Sequence, residues 1–429
     1  MGTSAGDNAC AAGASRGQCL SMSIEYRLIK EDEYAAINEL EAIAFYGHPR
    51  PEDPVLMRQY FKPEWTLAAF DGPKPVADVR TVPSARLMAG TQTPMGLISP
   101  VTCHAAYRRQ GHVRELLIRS LELMRERGQP ISGLYTPHDA LYRRYGWERA
   151  EEKRRLNFDP GDAVFRLPVK PTGGTRPGSA DDWQRLDAIY RGKADALNGC
   201  LVRDENLWRM HALIDFEDKE RRERAIVIWV DETDADRGYV IYQNRPSGTL
   251  KNGWPEQDIW IHDFTTLDTN AYYGLWRHIK THDLASSVTY DAHPEDPFMD
   301  LLENPFVVTA TKAEGPMIRI VDVEKAIAAR PFAGRGPAAF TVRIHDESAP
   351  WNDGAWRIEA GEGGMRAQKT DAAPDAEMSV NFLSPLYTGY RTPQLLTDAG
   401  LITVHNREAL AEMTNAFAVT HTPYTQDYY

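Results

Sequence analysis

Between residues 97 and 127 a short apolar run passes directly into a polar turn and then into a long amphipathic segment. No other feature restricts the fold of this chain as much. Residues 97–104, Leu-Ile-Ser-Pro-Val-Thr-Cys-His, read as a buried strand, and Pro100 inside it demands a bulge or a break in the pairing. Residues 111–127 set Val113, Leu116, Leu117, Leu121 and Met124 on one helical face, and Gly128 stops the run. A strand that turns at once into a helix belongs to mixed α/β architecture. The turn itself carries Arg108, Arg109, Gln110 and Gly111. Successive backbone N–H groups at a helix start attract a pyrophosphate, and Gly111 lets the backbone come close to it. Arg108, Arg109 and Arg114 add positive charge around that point.

The flanking sequence predicts a sheet for this unit. Ile24, Tyr26 and Leu28 alternate with polar residues as a strand, and a helix carrying Tyr34, Ile37, Leu40 and Ala44 on one face follows. Strands over 65–70 and 76–82 flank the turn Asp71-Gly72-Pro73. A short strand is expected over 131–136, then a helix capped by Asp139 and ended by Gly146, with 154–158 closing the sheet. Residues 168–178 read as a linker. An apolar strand at 259–264 and a helix over 270–280 repeat the strand-to-helix order. The last hundred residues alternate around Phe340, Val342 and Ile344, Trp356 and Ile358, and Met378, Val380 and Phe382. Helices near 392–399 and 407–418 complete a small sheet with helices on one side.

The chain has 429 residues, which suggests about three domains. Its formal net charge of -12 argues against nucleic acid as a partner, since phosphate backbones need a basic face. Four cysteines, Cys10, Cys19, Cys103 and Cys200, form no CxxC pair, which predicts a reducing, cytoplasmic setting. The Gly/Ala/Ser-rich start lacks the apolar core of a signal peptide, and no apolar run is long enough for a membrane span.

Arg108-x-x-Gly111-x-Val113 resembles the pyrophosphate loop of the GNAT superfamily of N-acetyltransferases. Val113 departs from the Gly or Ala of that pattern and narrows the loop. Leu141-Tyr142-Arg143-Arg144-Tyr145-Gly146-Trp147 matches a second superfamily feature, a Tyr on a short helix facing the CoA sulfur. The pair of motifs, His293-Pro294-Glu295-Asp296-Pro297, Ile318–Val323, Leu386-Tyr387-Thr388-Gly389 and the ending at Tyr429 together resemble the enhanced-intracellular-survival family. The composition of residues 1–22 reads as a disordered tail, and the resemblance implies a catalytic GNAT domain over 23–162. It further implies a degenerate GNAT-like domain over 163–312 and a sterol-carrier-like domain over 313–429. Loss in the second copy is visible directly: its strand leads into Thr265-Thr266-Leu267-Asp268-Thr269, and Asp268 at a helix start repels phosphate.

The expected chemistry is metal-free transfer from acetyl-CoA to a primary amine, on a small molecule or a lysine side chain. Val101, Thr102, Cys103, Arg108, Arg109, Gln110, Gly111, His112, Val113, Arg114, Pro137, His138 and Arg144 are the expected cofactor contacts. Tyr142 is expected to protonate the leaving sulfur. The resemblance implies that the terminal carboxylate of Tyr429 is the base, and that the protein forms hexamers. Tyr428 stands where relatives that acetylate polyamine antibiotics carry an acid, and Asp427 and Asp296 are the alternative sources of that charge. A competing expectation is a lipid carrier using the third domain. Gly13-Ala14-Ser15-Arg16-Gly17 matches a hydrolase pattern without the strand it needs, and His278 with His282 lacks a third metal ligand.

Overall fold

The computed structural model describes residues 24–45, 47, 53–214, 224–251 and 253–429. The predicted tail, the Gly13–Gly17 pattern, Cys10 and Cys19 lie outside the described residues. The first stretch forms β1 (Glu25–Leu28), α1 (Tyr34–Ala44), α2 (Asp53–Tyr60), β2 (Thr66–Asp71), β3 (Lys74–Met88) and β4 (Thr91–Cys103). It continues with α3 (His112–Glu126), β5 (Ile131–Leu134), α4 (Asp139–Arg143), β6 (Glu148–Arg149) and β7 (Glu152–Phe158). The next stretch adds β8 (Gly174–Gly178), α5 (Trp183–Ala194), β9 (Asn198–Leu201), α6 (Glu205–Leu207), β10 (Ala225–Val230), β11 (Asp236–Lys251), β12 (Trp254–Thr266), α7 (Thr269–Ile279) and β13 (Ala285–Ala292). The remainder is β14 (Thr309–Glu314), β15 (Met317–Ile320), α8 (Val323–Ala329), β16 (Ala338–His345), β17 (Gly354–Gly361), β18 (Gly364–Lys369), β19 (Ala376–Ser379), α9 (Val380–Thr388), α10 (Pro393–Asp398), β20 (Ile402–Val404) and α11 (Arg407–Ala416).

Three mixed sheets result, ordered β1-β2-β3-β4-β5-β15-β6, β14-β7-β13-β12-β11-β10-β8 and β18-β17-β16-β19-β20. The sheets interleave along the chain. β9 pairs with β3 of the first sheet, and β15 inserts beside β5. All four residues of β15 are buried, and the strand lies between β5 and the edge strand β6. Residues 154–158 therefore do not close that sheet, as their alternation suggested; β7 pairs with β13 and β14 in the second. Residues 174–178 of the expected linker form β8, an edge strand on β10. The strand expected through Phe382 stops at Ser379, whose hydroxyl accepts from Asn381 N and starts α9. Asp139 is the first residue of α4 and not its cap; its carboxylate binds Arg149 at 2.6 Å.

α3 covers the first sheet with Leu116, Leu117, Leu121 and Met124, all fully buried. β3 and β4 form a long hairpin closed by Ala89 and Gly90, both at positive φ, as a two-residue turn requires. The third domain is tied to the first through Arg319 on β15. This buried guanidinium donates to both oxygens of Asp346 (2.7 and 2.6 Å) and to the carbonyl of Tyr145 just beyond α4 (2.8 Å). Among the described residues no helix is long and apolar enough to cross a membrane. Asp346→Ala should cost about 3–5 kcal/mol, because it strands a buried cation; urea unfolding measures it, and a loss near zero would contradict this role for the pair.

Candidate active site

β4 and β5 run parallel but pair only at Met95, Gly96 and Leu97. β5 ends at Leu134 while β4 continues to Cys103. Residues 98–103 thus keep β3 on one side and no strand on the other, and the two strands splay open. The break expected at Pro100 is present: Val79 faces Val101, Thr81 faces Ile98, and Ser99 and Pro100 bulge opposite Arg80. Val101, Thr102 and Cys103 form the free edge. The Thr102 hydroxyl donates to Asp78, whose other oxygen is buried with no partner among the described residues. Burial, with Glu41 nearby, pushes the Asp78 carboxyl up to about 8.

The polar turn joins this edge to α3. Arg109 (φ +61°) and Gly111 (φ +92°) both take the left-handed conformation, and a Cβ on Gly111 would meet nothing within 4 Å. The first helical bond runs from Glu115 N to Gly111 O at 3.0 Å. The N–H groups of His112, Val113 and Arg114 precede it and are left for a ligand. His112 is buried, its Nδ1 2.7 Å from the Tyr26 hydroxyl. Val113 is half-buried against the core beneath α3. Gln110 Nε2 donates to Ala106 O, and Arg108 Nε donates to Cys103 O. Arg108, Arg109, Arg114 and Arg144 are exposed, and among the described residues none of them has an ion-pair partner. In a chain of net charge -12, unpaired arginines beside an open helix start suit a polyphosphate.

The end of β5 is flanked by two tyrosines. Tyr142 on α4 is 8% exposed, lies edge-on to Trp147, and has a phenol that burial pushes up to about 12. Pro137 and His138 are exposed just ahead of α4, where His138 N donates to Thr136 Oγ1. The Tyr429 ring is buried edge-on to Tyr135 at 5.1 Å. It also covers β5 so closely that a Cβ on Gly133 would stand 2.5 Å from its hydroxyl.

Tyr429 reaches this place through a tail held at every step. Tyr424 N donates to Asn198 O (2.8 Å), the Tyr135 hydroxyl to Asp427 O (2.7 Å), and Lys153 Nζ to Gln426 O (3.1 Å). The chain end is docked and not frayed. Together with Tyr429, Leu97, Ser99 and Pro100 border a cavity of about 110 Å³. Its other walls are Tyr60, Phe61 and Trp65, then Arg80, then Asp204 and Met210 from the following domain. Arg80 is neutralised by Glu41. Neither expected acid serves this cavity. Asp427 is buried against Arg203 at 2.9 Å, Asp296 lines a different cavity, and Tyr428 is 68% exposed. Asp204, which the sequence reading missed, is the side-chain carboxylate in the lining; its local signal is only that of the helix cap it also forms with Leu207 N. Gly133→Ala should displace the terminal tyrosine and lower turnover about tenfold or more, with the fold retained by circular dichroism; unchanged turnover would remove Tyr429 from the site.

Residues 25–150 and 199–320 each match an acetyltransferase (GNAT) domain family, and residues 323–426 match a sterol carrier protein domain family. An uncharacterised N-acetyltransferase of Streptomyces avermitilis is 24% identical over 416 residues, covering 94% of this chain and 99% of that protein. The N-acetyltransferase Eis of Mycobacterium tuberculosis is 24% identical over 408 residues, covering 90% and 95%. Among solved structures, a GCN5-related N-acetyltransferase of Anabaena variabilis superposes with a TM-score of 0.82 at 21% identity, covering 95% of this chain and 100% of that one. Eis1 of Mycobacterium abscessus does so with a TM-score of 0.78 at 22% identity, again covering 95% and 100%. The chain is an N-acetyltransferase homologous to Eis along nearly its whole length, with two GNAT domains ahead of a sterol carrier protein domain.

Proposed function

We propose that the protein transfers an acetyl group directly from acetyl-CoA to a primary amine with an apolar body. The observation that carries this reading is the splay between β4 and β5, which continues into the start of α3 and has Tyr429 in the adjoining cavity. The N–H groups after Gly111 and the unpaired Arg108, Arg109 and Arg114 hold the pyrophosphate. The free edge at Val101, Thr102 and Cys103 lies along the pantetheine arm, with Pro137, His138 and Arg144 at the rim. The second domain, with Asp268 capping α7 through Ala271 N, serves as support.

The acceptor enters the cavity between Tyr60, Phe61, Trp65 and Tyr429. Asp204 meets its ammonium group, and the aromatic walls favour an apolar body. The terminal carboxylate takes a proton from the amine. The nitrogen then bonds to the carbonyl carbon, the carbon–sulfur bond breaks, and the departing thiolate takes up the second proton that the nitrogen sheds on becoming an amide. A phenol raised to about 12 is a weaker acid than a thiol near 8.5. Tyr142 therefore acts by donating a hydrogen bond to the departing sulfur, and complete proton transfer is not required of it. The carrier reading has less support: Phe340, Trp356, Met378, Leu383 and Phe417 fill the interior of the third domain with its own side chains.

Tyr142→Phe should lower kcat by roughly 10²–10⁴-fold with little change in acetyl-CoA affinity; unchanged kcat would reject its role. With a folded-state pKa of about 12, Tyr142 stays protonated and should impose no alkaline loss of kcat below roughly pH 10. Residues appended after Tyr429 should abolish turnover, and full activity in such a protein would reject the terminal base. A screen of acetyl-CoA consumption over arylalkylamines, polyamines, aminoglycosides and lysine peptides should favour the first; a clear preference for a polycation would overturn the acceptor assignment.

A further inference from the structure

The second domain repeats the splay. β12 and β13 run parallel from Gln257 to Ile261 and then part, as β4 and β5 do after Leu97. Here the chain's own tail bridges the gap. Phe264 N donates to Gln426 Oε1 (2.9 Å), Gln426 Nε2 to Thr265 Oγ1 (3.3 Å), and the Tyr424 hydroxyl to Asp291 O on β13 (2.6 Å). Beside the tail a cavity of about 560 Å³ remains, several times the acceptor cavity and ample for a small molecule.

Its lining holds two polar atoms with unused capacity. Asp296 receives the Tyr272 hydroxyl (2.7 Å) and Phe298 N (2.9 Å), both on Oδ1, so Oδ2 has no partner among the described residues. His293 Nδ1 accepts from Glu295 N (2.9 Å), which leaves the proton on Nε2. That Nε2 is buried and completes no hydrogen bond of ordinary geometry among the described residues, although the Thr422 backbone stands nearby. Burial holds this imidazole at about 4, so it is neutral at physiological pH. An unused buried donor is costly unless a ligand accepts from it. Around these atoms stand the rings of Phe264, Tyr272, Tyr290 and Tyr424. Three carboxylates, on Asp268, Glu295 and Asp296, outnumber the one lysine, Lys193.

We propose that this cleft is a second ligand site, taking a small organic ammonium ion that carries a hydrogen-bond acceptor. The cation lies against the aromatic rings with Asp296 Oδ2 as its counter-charge, and the acceptor receives His293 Nε2–H. Phosphate-bearing ligands are disfavoured by the same carboxylates. Because Tyr424 and Gln426 form part of the wall, the occupant touches the segment that ends in Tyr429.

Choline suits the test, since its quaternary nitrogen cannot be acetylated and occupancy is separated from turnover. Calorimetric titration of the full chain with choline should show one saturable site. Binding should weaken at least tenfold in Asp296→Asn and in Thr266→Phe, which fills the cleft from β12, and stay unchanged in Asp204→Asn at the acceptor cavity. Tetramethylammonium, which lacks the hydroxyl, should bind more weakly than choline. No saturable heat with the unaltered chain would overturn the proposal, as would choline binding that survives in both cleft variants or that depends on Asp204.

Discussion

One buried guanidinium, that of Arg203, holds the end of the chain where it is. It donates to Asp263 on β12 at 2.5 Å and to Asp427 in the tail at 2.9 Å, with the rings of Tyr190 and Trp208 stacked at 4.0 and 4.4 Å. Burial alone would lower its pKa, but the two carboxylates more than offset this and raise it well above the ordinary value. Two carboxylates share one cation here, and all three side chains are about 1% exposed. Such a cluster survives only when its remaining lone pairs are also used. The Tyr239 hydroxyl donates to Asp263 and the Thr425 hydroxyl to Asp427, which meets that condition. The cluster fixes Asp427, and two residues on, the ring of Tyr429 lies over β5 of the first domain.

The same supersecondary unit is thus used twice with opposite outcomes. In the first domain the strand opens into a glycine at φ +92°, leaving helix N–H groups unpaired beside free arginines. In the second, Asp268 spends its carboxylate on Ala271 N, so the helix start is satisfied internally and carries negative charge. Deep in the second splay the tail has taken the space between the strands. The second domain thus holds the tail whose last residue, Tyr429, borders the cavity of the first.

The first site was readable because it is local. Strand, Arg108 to Gly111 and helix are consecutive, so periodicity and one glycine describe the geometry. The short helix that carries Tyr142 was likewise legible from its own local signals. The parts that could not be read are those set by distant pairing. β15 is three apolar residues around Arg319, a pattern that any of the sheets could have accepted, and beside β5 its arginine meets Asp346 of the last domain. Residues 152–158 alternate as an edge strand would, and nothing in that pattern names the sheet they join. Asp204 looks like an ordinary helix cap until β9 pairs with β3 and carries it to the first domain's cavity. Asp427 and Asp296 were reasonable sources of charge by sequence position, yet one is consumed by Arg203 and the other faces the second cleft.

The tail connects two cavities through one rigid point. Tyr424 and Gln426 wall the second cleft, Tyr429 walls the acceptor cavity, and Asp427 lies between them in the grip of Arg203. A shift at Gln426 cannot slide the chain past that ion cluster without exposing two buried carboxylates. It can, however, change the backbone that leaves the cluster, because Lys153 and Tyr135 bind the carbonyls of Gln426 and Asp427 on either side of it. Tyr135 also packs against the Tyr429 ring, so its hydroxyl senses one end of the segment and its face the other. The placement of Tyr429 therefore depends on three domains at once: β5 beneath the ring, β12 through Asp263 and Gln426, and the last domain through the chain that leads there.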